Sequence, residues 1–342
     1  MTLKKRMIGA TGLEVTELGL GTAAMAGNHR PVAIEDHRGA LEEGLGRGIN
    51  FLDTAPFYGF GRSEHLAGDA LRLREDWILS TKAGRLLEAG PAPQHEAVEW
   101  PGCFPFRQIY DYSYDGVMRS YEMSLQRLGL DHIDILLLHD IGEMQHGAEA
   151  NAPLQRDAMS GGYKALDELR SSGAIKAIGL GVNEREVCIE AMKHGHWDTF
   201  LLAGRYTLLE QSPLDDLIPA CIEAKTSIIL GGPFNSGILA GGDTWNYAKA
   251  PADVIDKASR IRKVCEAHNV PLAAAALQFP LAHEVVCSVI PGPRSAQEMS
   301  MLFDWFDLDI PASLWGDLRS EGLLHEQAPC LLYTSPSPRD RG

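Results

Sequence analysis

Short apolar runs of strand length recur along the chain, and between them apolar residues return at spacings of three and four. The runs are Leu18–Gly21, Ile49–Asp53, Ile78–Lys82, Ile133–His139, Ala177–Val182, Thr199–Gly204, Ser227–Gly231 and Val286–Pro291, eight in all. Between them lie AIEDHRGALEEGLGRG, DGVMRSYEMSLQRLGL, GYKALDELRSSG, REVCIEAMKHG, LDDLIPACIEAK and ASRIRKVCEAHNVPLAAAALQFPLA. Several of these stop at glycine, or at a basic residue followed by glycine, as helices do. Strand then helix, eight times over, predicts an α/β chain with a parallel sheet covered by helices. The count favours closure as a (β/α)8 barrel. An open dinucleotide-binding sheet would carry GxGxxG after its first strand, whereas LGLGTAAMAG holds Gly19 and Gly21 but has Ala24 where the third glycine would fall.

RMIGATGLEV, ahead of the first strand, reads as a hairpin turning at Ala10–Gly12, placed to plug the bottom of the barrel. Two connections, Ala83–Tyr114 and Pro233–Pro251, far exceed the usual roughly two to six residues, and they are expected as long aromatic and glycine-bearing loops on one rim. No linker interrupts the alternation, so residues 1–329 are expected to form a single domain. CLLYTSPSPRD, from Cys330, departs abruptly from what precedes it and resembles the translation of a transposase-type sequencing adapter. Residues 330–342 are therefore read as a non-native tail.

Composition narrows the partners. The chain is 45% hydrophobic and 23% charged, with a formal net charge of -15, which argues for a globular protein and against nucleic acid or an anionic membrane surface. The basic N-terminus has no apolar segment behind it, and no apolar run approaches a membrane span, so a cytoplasmic location is expected. Six cysteines, at positions 103, 188, 221, 265, 287 and 330, form no CxxC pair and have no histidine at ligand spacing. They are read as reduced thiols, and no metal site is expected.

Three of the apolar runs end on a charge or an imidazole: Asp53, Lys82 and His139, with Tyr58 five residues beyond Asp53 in FLDTAPFYGFGRSE. In a barrel of parallel strands these ends converge on one rim. Such a group suits proton transfer through the phenol. An ammonium near Tyr58 would lower its pKa from about 10, Asp53 would hold Lys82 charged, and His139 would orient the substrate oxygen. None of the four is a nucleophile or a metal ligand set, so the electrons are expected to come from a cofactor.

GINFLDTAPFYGFGRSE, the STK strand end, RLGLDHIDILLLHD, GAIKAIGLG and VIPGPRS together resemble the aldo-keto reductases, from Leu3 to Pro329. The resemblance implies an eight-stranded barrel, a nicotinamide dinucleotide extended across the rim and the tetrad Asp53, Tyr58, Lys82 and His139, with Tyr58 as general acid in reduction and base in oxidation. Within the family, LLAGRYTLLEQ and ILGGPFNSGILA resemble the branch of aldose 1-dehydrogenases of the L-fucose, D-arabinose or L-galactose type, which also includes pyridoxal 4-dehydrogenase. That implies NAD(P)-dependent oxidation of an aldose at C1 to the lactone. Oxidation of pyridoxal or another alcohol is the alternative, and a redox-sensing subunit is a third.

The cofactor contacts implied are Gly21 and Thr22 after the first strand, Asn183 in LGVN, and Gly232, Asn235, Ser236, Gly237 and Leu239, whose loop amides would surround a pyrophosphate. Gly231 stands where many relatives stack a tyrosine on the nicotinamide, and Phe234 or Tyr206 is expected to fill that space. Where NADP-dependent relatives carry a lysine and an arginine, this chain has Gly292 and Glu298. NAD is therefore expected, with NADP as the other candidate because Arg294 lies between them. Trp100 and Trp245 are read either as stacking partners for a sugar ring or as loop packing.

Overall fold

The computed structural model describes residues 3–329. The tail from Cys330 lies outside the described residues. Eight parallel strands form one sheet in chain order: β1 (Leu20–Gly21), β2 (Phe51–Asp53), β3 (Ile78–Ala83), β4 (Ile135–His139), β5 (Ala177–Val182), β6 (Thr199–Ala203), β7 (Ser227–Gly231) and β8 (Val286–Ile290). Seven of the eight predicted runs contain one of them, and β3 runs one residue past its own, to Ala83. The sheet closes on itself where Leu18 bridges Val289 and the Gly19 amide donates to the Val289 carbonyl at 2.9 Å. The predicted (β/α)8 barrel is the observed fold, with helices in the connections between strands. Runs as apolar as ILLLH arise because strands of such a sheet are covered on both faces.

A hairpin of Lys5–Met7 with Glu14–Thr16 precedes the barrel. Its Ile8, Leu13 and Val15 pack with Phe51, Ile78, Ile135, Leu137, Ala177, Leu201, Ile229 and Cys287, so the expected plug closes the end opposite the strand C-termini. Arg6 fixes it in place. Its guanidinium donates to the carbonyls of Leu281, His283 and Val286 at 2.8–3.0 Å and pairs with Glu17 at 2.7 Å.

Both anticipated long connections have structure of their own. After β3 an antiparallel ribbon, Arg85–Ala89 with Phe106–Tyr110, encloses the short helix Gln94–Glu99. After β7 the chain makes a tight turn at Asn235–Ala240 and a two-rung ribbon of Thr244–Trp245 with Ala248–Lys249. A third long connection, between β4 and the helix Tyr163–Ser171, was not anticipated: it holds helices Glu143–His146 and Ala148–Asp157 and a π-turn at Ala158–Gly162. The last predicted helical pattern is two helices, Ala252–Ala267 and Leu272–Gln278. Pro271 separates them, since it has no amide to continue the first.

Candidate active site

At the rim, the polar ends of β2, β3 and β4 meet. Lys82 is 1% exposed and Asp53 2%, yet they pair at 2.6 Å between Nζ and Oδ2. Ser80 Oγ donates to Asp53 Oδ1 at 2.6 Å, and Lys82 Nζ donates a second bond to the Thr54 carbonyl at 2.9 Å. A buried charge pair is tolerable only when its remaining valences are met in this way. The lysine reaches across the barrel because β5 presents no side chain at Gly181, where a Cβ would stand 2.9 Å from Lys82 Cε. Burial raises the Asp53 carboxyl above its ordinary range, against the opposing pull of the Lys82 ammonium.

Tyr58 belongs to the turn that joins β2 to the helix Arg62–Leu71. Gly59, Phe60 and Gly61 all take positive φ, so the chain reverses within three residues and returns Tyr58 to the mouth. Its ring centre lies 4.8 Å from Lys82 Nζ and 5.8 Å from the His139 ring, edge to face. The four residues expected to converge do so. The electrostatic expectation for the phenol does not hold: its pKa is raised well above 10, by burial first and then by the charges of Asp53 and Asp140, while Arg85 opposes. Lys82 is already neutralised by Asp53, so its field at the phenol is largely cancelled.

His139 is 4% exposed, and burial, Arg85 and Lys82 together hold its pKa well below 6.5, leaving a neutral imidazole. The Tyr112 hydroxyl donates to its carbonyl at 2.6 Å. Trp100 is buried and stacks on Tyr58 at 5.8 Å, with Phe57 against its edge at 5.2 Å, so it forms a wall of the mouth. Trp245 instead donates from Nε1 to Glu210 at 2.8 Å.

The residues expected to contact a cofactor are distributed around the same rim, with some side chains already engaged. Thr22 is buried, and its hydroxyl is taken up by the Asp53 carbonyl at 2.8 Å and Ser63 Oγ at 2.6 Å. Val182 packs outward among the helices, while Asn183 stands at the end of β5 with its amide 3.2 Å from the Tyr247 hydroxyl. In the β7 loop, the amides of Asn235, Gly237 and Leu239 donate to the carbonyls of Gly232, Phe234 and Phe234, so they are not free to surround a phosphate, and the Leu239 side chain is in the core. Asn235 Nδ2 bonds the Gly204 carbonyl at 2.8 Å, and the Ser236 hydroxyl accepts from the Tyr247 amide at 3.1 Å. Gly232 turns the chain at φ 58°, directly after Gly231 at the end of β7. Tyr206 does not fill the space at Gly231: it is buried against Phe279 and His283. Phe234 packs on Trp305 at 6.0 Å.

Gly21 and Gly292 lie side by side, and a Cβ on Gly292 would stand 3.1 Å from the Gly21 carbonyl. Beyond them Ser295 caps the helix Ala296–Asp307 by accepting from the Glu298 amide at 3.2 Å. Glu298 accepts from the Arg294 amide at 2.7 Å and pairs with Arg30 at 3.1 Å. Arg30 was missed in the sequence, as were Arg85 and Asp140, which pair with each other beside His139. The signal for the last two was present: each is a charge within three residues of a strand-end tetrad position.

Residues 17–320 match the model of the Aldo/keto reductase family, and the chain belongs to that family. It is an NAD(P)-dependent oxidoreductase. It is 44% identical over 335 residues to pyridoxal 4-dehydrogenase of Microbacterium luteolum, covering 94% of this chain and 98% of that protein. It is 35% identical over 326 residues to D-threo-aldose 1-dehydrogenase of a Pseudomonas species, covering 92% and 96%. Among solved structures, an aldo-keto reductase of Bacillus halodurans in its holo form superposes with a TM-score of 0.71 at 26% identity, covering 95% of this chain and 99% of that one. Among the described residues no helix is long and apolar enough to cross a membrane.

Proposed function

We propose that the chain oxidises a cyclic hemiacetal to a lactone, with an aldose or pyridoxal as substrate. The observation that carries this reading is the meeting of Asp53, Lys82, Tyr58 and His139 at one mouth, in a chain similar along its length to dehydrogenases of both compounds. The two substrates look unlike, yet each is an aldehyde with a hydroxyl placed to close a ring on it. The carbon that results carries a hydrogen, a hydroxyl and a ring oxygen. Loss of a hydride from the carbon and a proton from its hydroxyl gives the lactone in both cases. Pyridoxal is favoured by the higher identity, 44% against 35%.

In this reading Tyr58 takes the hydroxyl proton and neutral His139 fixes the oxygen that loses it. A phenol held above its ordinary range is protonated at neutral pH, which suits the acid role in reduction. For oxidation the phenolate needs compensating charge, and Lys82, steadied by Asp53, lies closest to the ring. A dinucleotide bound at this rim would supply the hydride acceptor and, in its oxidised form, a further positive charge. The rim fits such a group: Asn183 presents a carboxamide at the end of β5, while Arg294 Nε and Asn235 Oδ1 are buried without partners among the described residues. Glu298 would accept ribose hydroxyls and repel a 2′-phosphate, which favours NAD. The residues 1–329 act in this proposal as one domain.

The test is a spectrophotometric screen of pyridoxal, L-fucose, D-arabinose and L-galactose with NAD and NADP, with the product identified by mass. A lactone two hydrogens lighter than the substrate is expected. An enzyme that reduces open-chain aldehydes and oxidises none of these hemiacetals would overturn the proposal.

A further inference from the structure

The mouth holds a second charged pair that the reaction above does not use. Arg85 is buried, its guanidinium 4.2 Å from the centre of the Phe57 ring and 5.1 Å from that of Tyr110. One nitrogen donates to Gln108 Oε1 at 3.1 Å and another to Asp140 Oδ2. The same Oδ2 stands 3.3 Å from His139 Nε2. Asp140 is thus gripped through one oxygen. The other, Oδ1, has no hydrogen-bond or ion-pair partner among the described residues, and the side chain is 21% exposed.

The backbone explains how a charge comes to be there. His139 faces the barrel interior, so the next residue of a strand would face the helices. Asp140 instead takes φ 48°, in the left-handed region that a non-glycine residue enters at a cost. Its amide still donates to the Gly181 carbonyl at 2.8 Å, so the ladder runs one rung further while the side chain turns back to the mouth. A strained backbone and a buried arginine both serve to fix one carboxylate beside His139. Buried arginines persist where they are paired, and functional sites are where such strain collects.

We propose that Asp140 is a specificity-determining residue, whose Oδ1 accepts a hydrogen bond from a substrate hydroxyl next to the reacting carbon, while His139 and Tyr58 hold the oxygen on that carbon. This rests on the reading of the substrate as a hydroxylated hemiacetal. An aldose carries such a hydroxyl at C2, and pyridoxal offers its acidic ring hydroxyl, beside the carbon that bears its aldehyde, only in the protonated form. A fixed, ionised acceptor makes a strong bond to a hydroxyl. A site built around that bond rejects the analogue that lacks it far more sharply than a site built on shape. The same carboxylate disfavours substrates that bring an anion to this position.

The test compares kcat/KM within two substrate pairs: L-fucose against 2-deoxy-L-fucose in oxidation, and lactaldehyde against propanal in reduction. Each pair differs by the one hydroxyl. Wild type is expected to prefer the hydroxylated member by about 30-fold or more, and Asp140→Ala to reduce that preference to about threefold or less. Because the ratio is taken within one variant, general damage to the site cancels. If Asp140→Ala fails to fold with Arg85 left unpaired, the double variant Arg85→Met/Asp140→Ala removes both charges and gives the same reading. A preference undiminished in the variant, or a wild type that uses both members equally, overturns the assignment. Should the fucose pair not be oxidised at all while the lactaldehyde preference depends on Asp140, the aldose reading fails and the assignment of Asp140 stands; the lactone reading falls with it only if pyridoxal is not oxidised either.

Discussion

Lys82 reaches Asp53 at 2.6 Å through the space that Gly181 leaves open, so the buried ion pair of the mouth depends on a missing side chain two strands away. Breaking the pair on one side leaves a buried charge alone. Lys82→Met is therefore expected to cost about 3–5 kcal/mol of stability, and to lower kcat by about 10²-fold or more. The double variant Asp53→Asn/Lys82→Met should regain much of the stability and none of the activity. Urea unfolding and turnover, measured on both variants, separate the two roles. Recovery of activity in the double variant would remove Lys82 from the chemistry.

Tyr58→Phe keeps the ring that stacks on Trp100 and deletes the hydroxyl. Turnover is expected to fall by about 10²–10⁴-fold, with the dissociation constant of the dinucleotide nearly unchanged. Fluorescence titration with the cofactor and steady-state kinetics check the two halves. A variant that retains more than about a tenth of wild-type kcat contradicts the proton-transfer role.

The raised pKa of Tyr58 has a direction in pH. Its basic form is populated only as pH climbs toward that value, so oxidation should accelerate through the alkaline range while reduction, which uses the protonated form, stays level there. Asp140 is one of the charges that push the phenol up. Asp140→Asn should therefore move the alkaline limb of the oxidation profile to lower pH. A limb that moves upward or stays in place would show that another group is being titrated.

Eight strands were legible as apolar runs because a strand covered on both faces is predominantly apolar, and the charged groups it carries fall at its end. The same fact made the tetrad positions legible: Asp53, Lys82 and His139 are anomalies at the ends of buried strands. Strand starts were less so, since Ile49 and Ile133 are buried two residues before pairing begins at Phe51 and Ile135. The connection after β4 carries no strand-length apolar run and has Pro153 inside one of its helices, so nothing in its pattern announced structure. Arg85 and Asp140 lie within three residues of tetrad positions and were legible by that alone, whereas Arg30 carried no signal. Only folding brings Arg30 to Glu298, across 268 residues of sequence.

Glu298 holds two positive neighbours in check, the Arg30 guanidinium at 3.1 Å and Arg294, whose amide it accepts at 2.7 Å. Glu298→Gln removes the charge that repels a 2′-phosphate and frees Arg30 to meet one. The ratio of kcat/KM for NADP over NAD should rise by about tenfold or more, in proportion to one recovered charge pair. Competition between the two dinucleotides in binding gives an independent reading. A wild type that already favours NADP, or an unmoved ratio, would show that this carboxylate does not read the ribose.

His37, on the helix Ile34–Gly46, is fully buried, and desolvation with Arg62 nearby lowers its pKa from 6.5 to about 4. The unfolded chain takes up this proton at higher pH than the folded one. The contribution is therefore complete above 6.5 and is lost as pH falls toward 4, by about 3 kcal/mol in all. Urea midpoints at about pH 7 and about pH 4.5 should differ less for His37→Gln than for wild type. An equal difference would place the acid sensitivity elsewhere.

Arg6 bonds three carbonyls, the farthest of them 280 residues along the chain. The hairpin that plugs the barrel thus leaves the ribosome about 280 residues ahead of the carbonyls that fix Arg6. Until β8 arrives, the growing sheet has two open edges, at β1 and at its newest strand, and each is able to pair with another chain. Closing a loop of that length adds little to the equilibrium cost, because the entropy grows only with the logarithm of length, but it delays the step that removes both edges at once. Synthesis of this protein therefore passes through a long interval in which association between nascent chains competes with closure, and Arg6 takes hold only at its end.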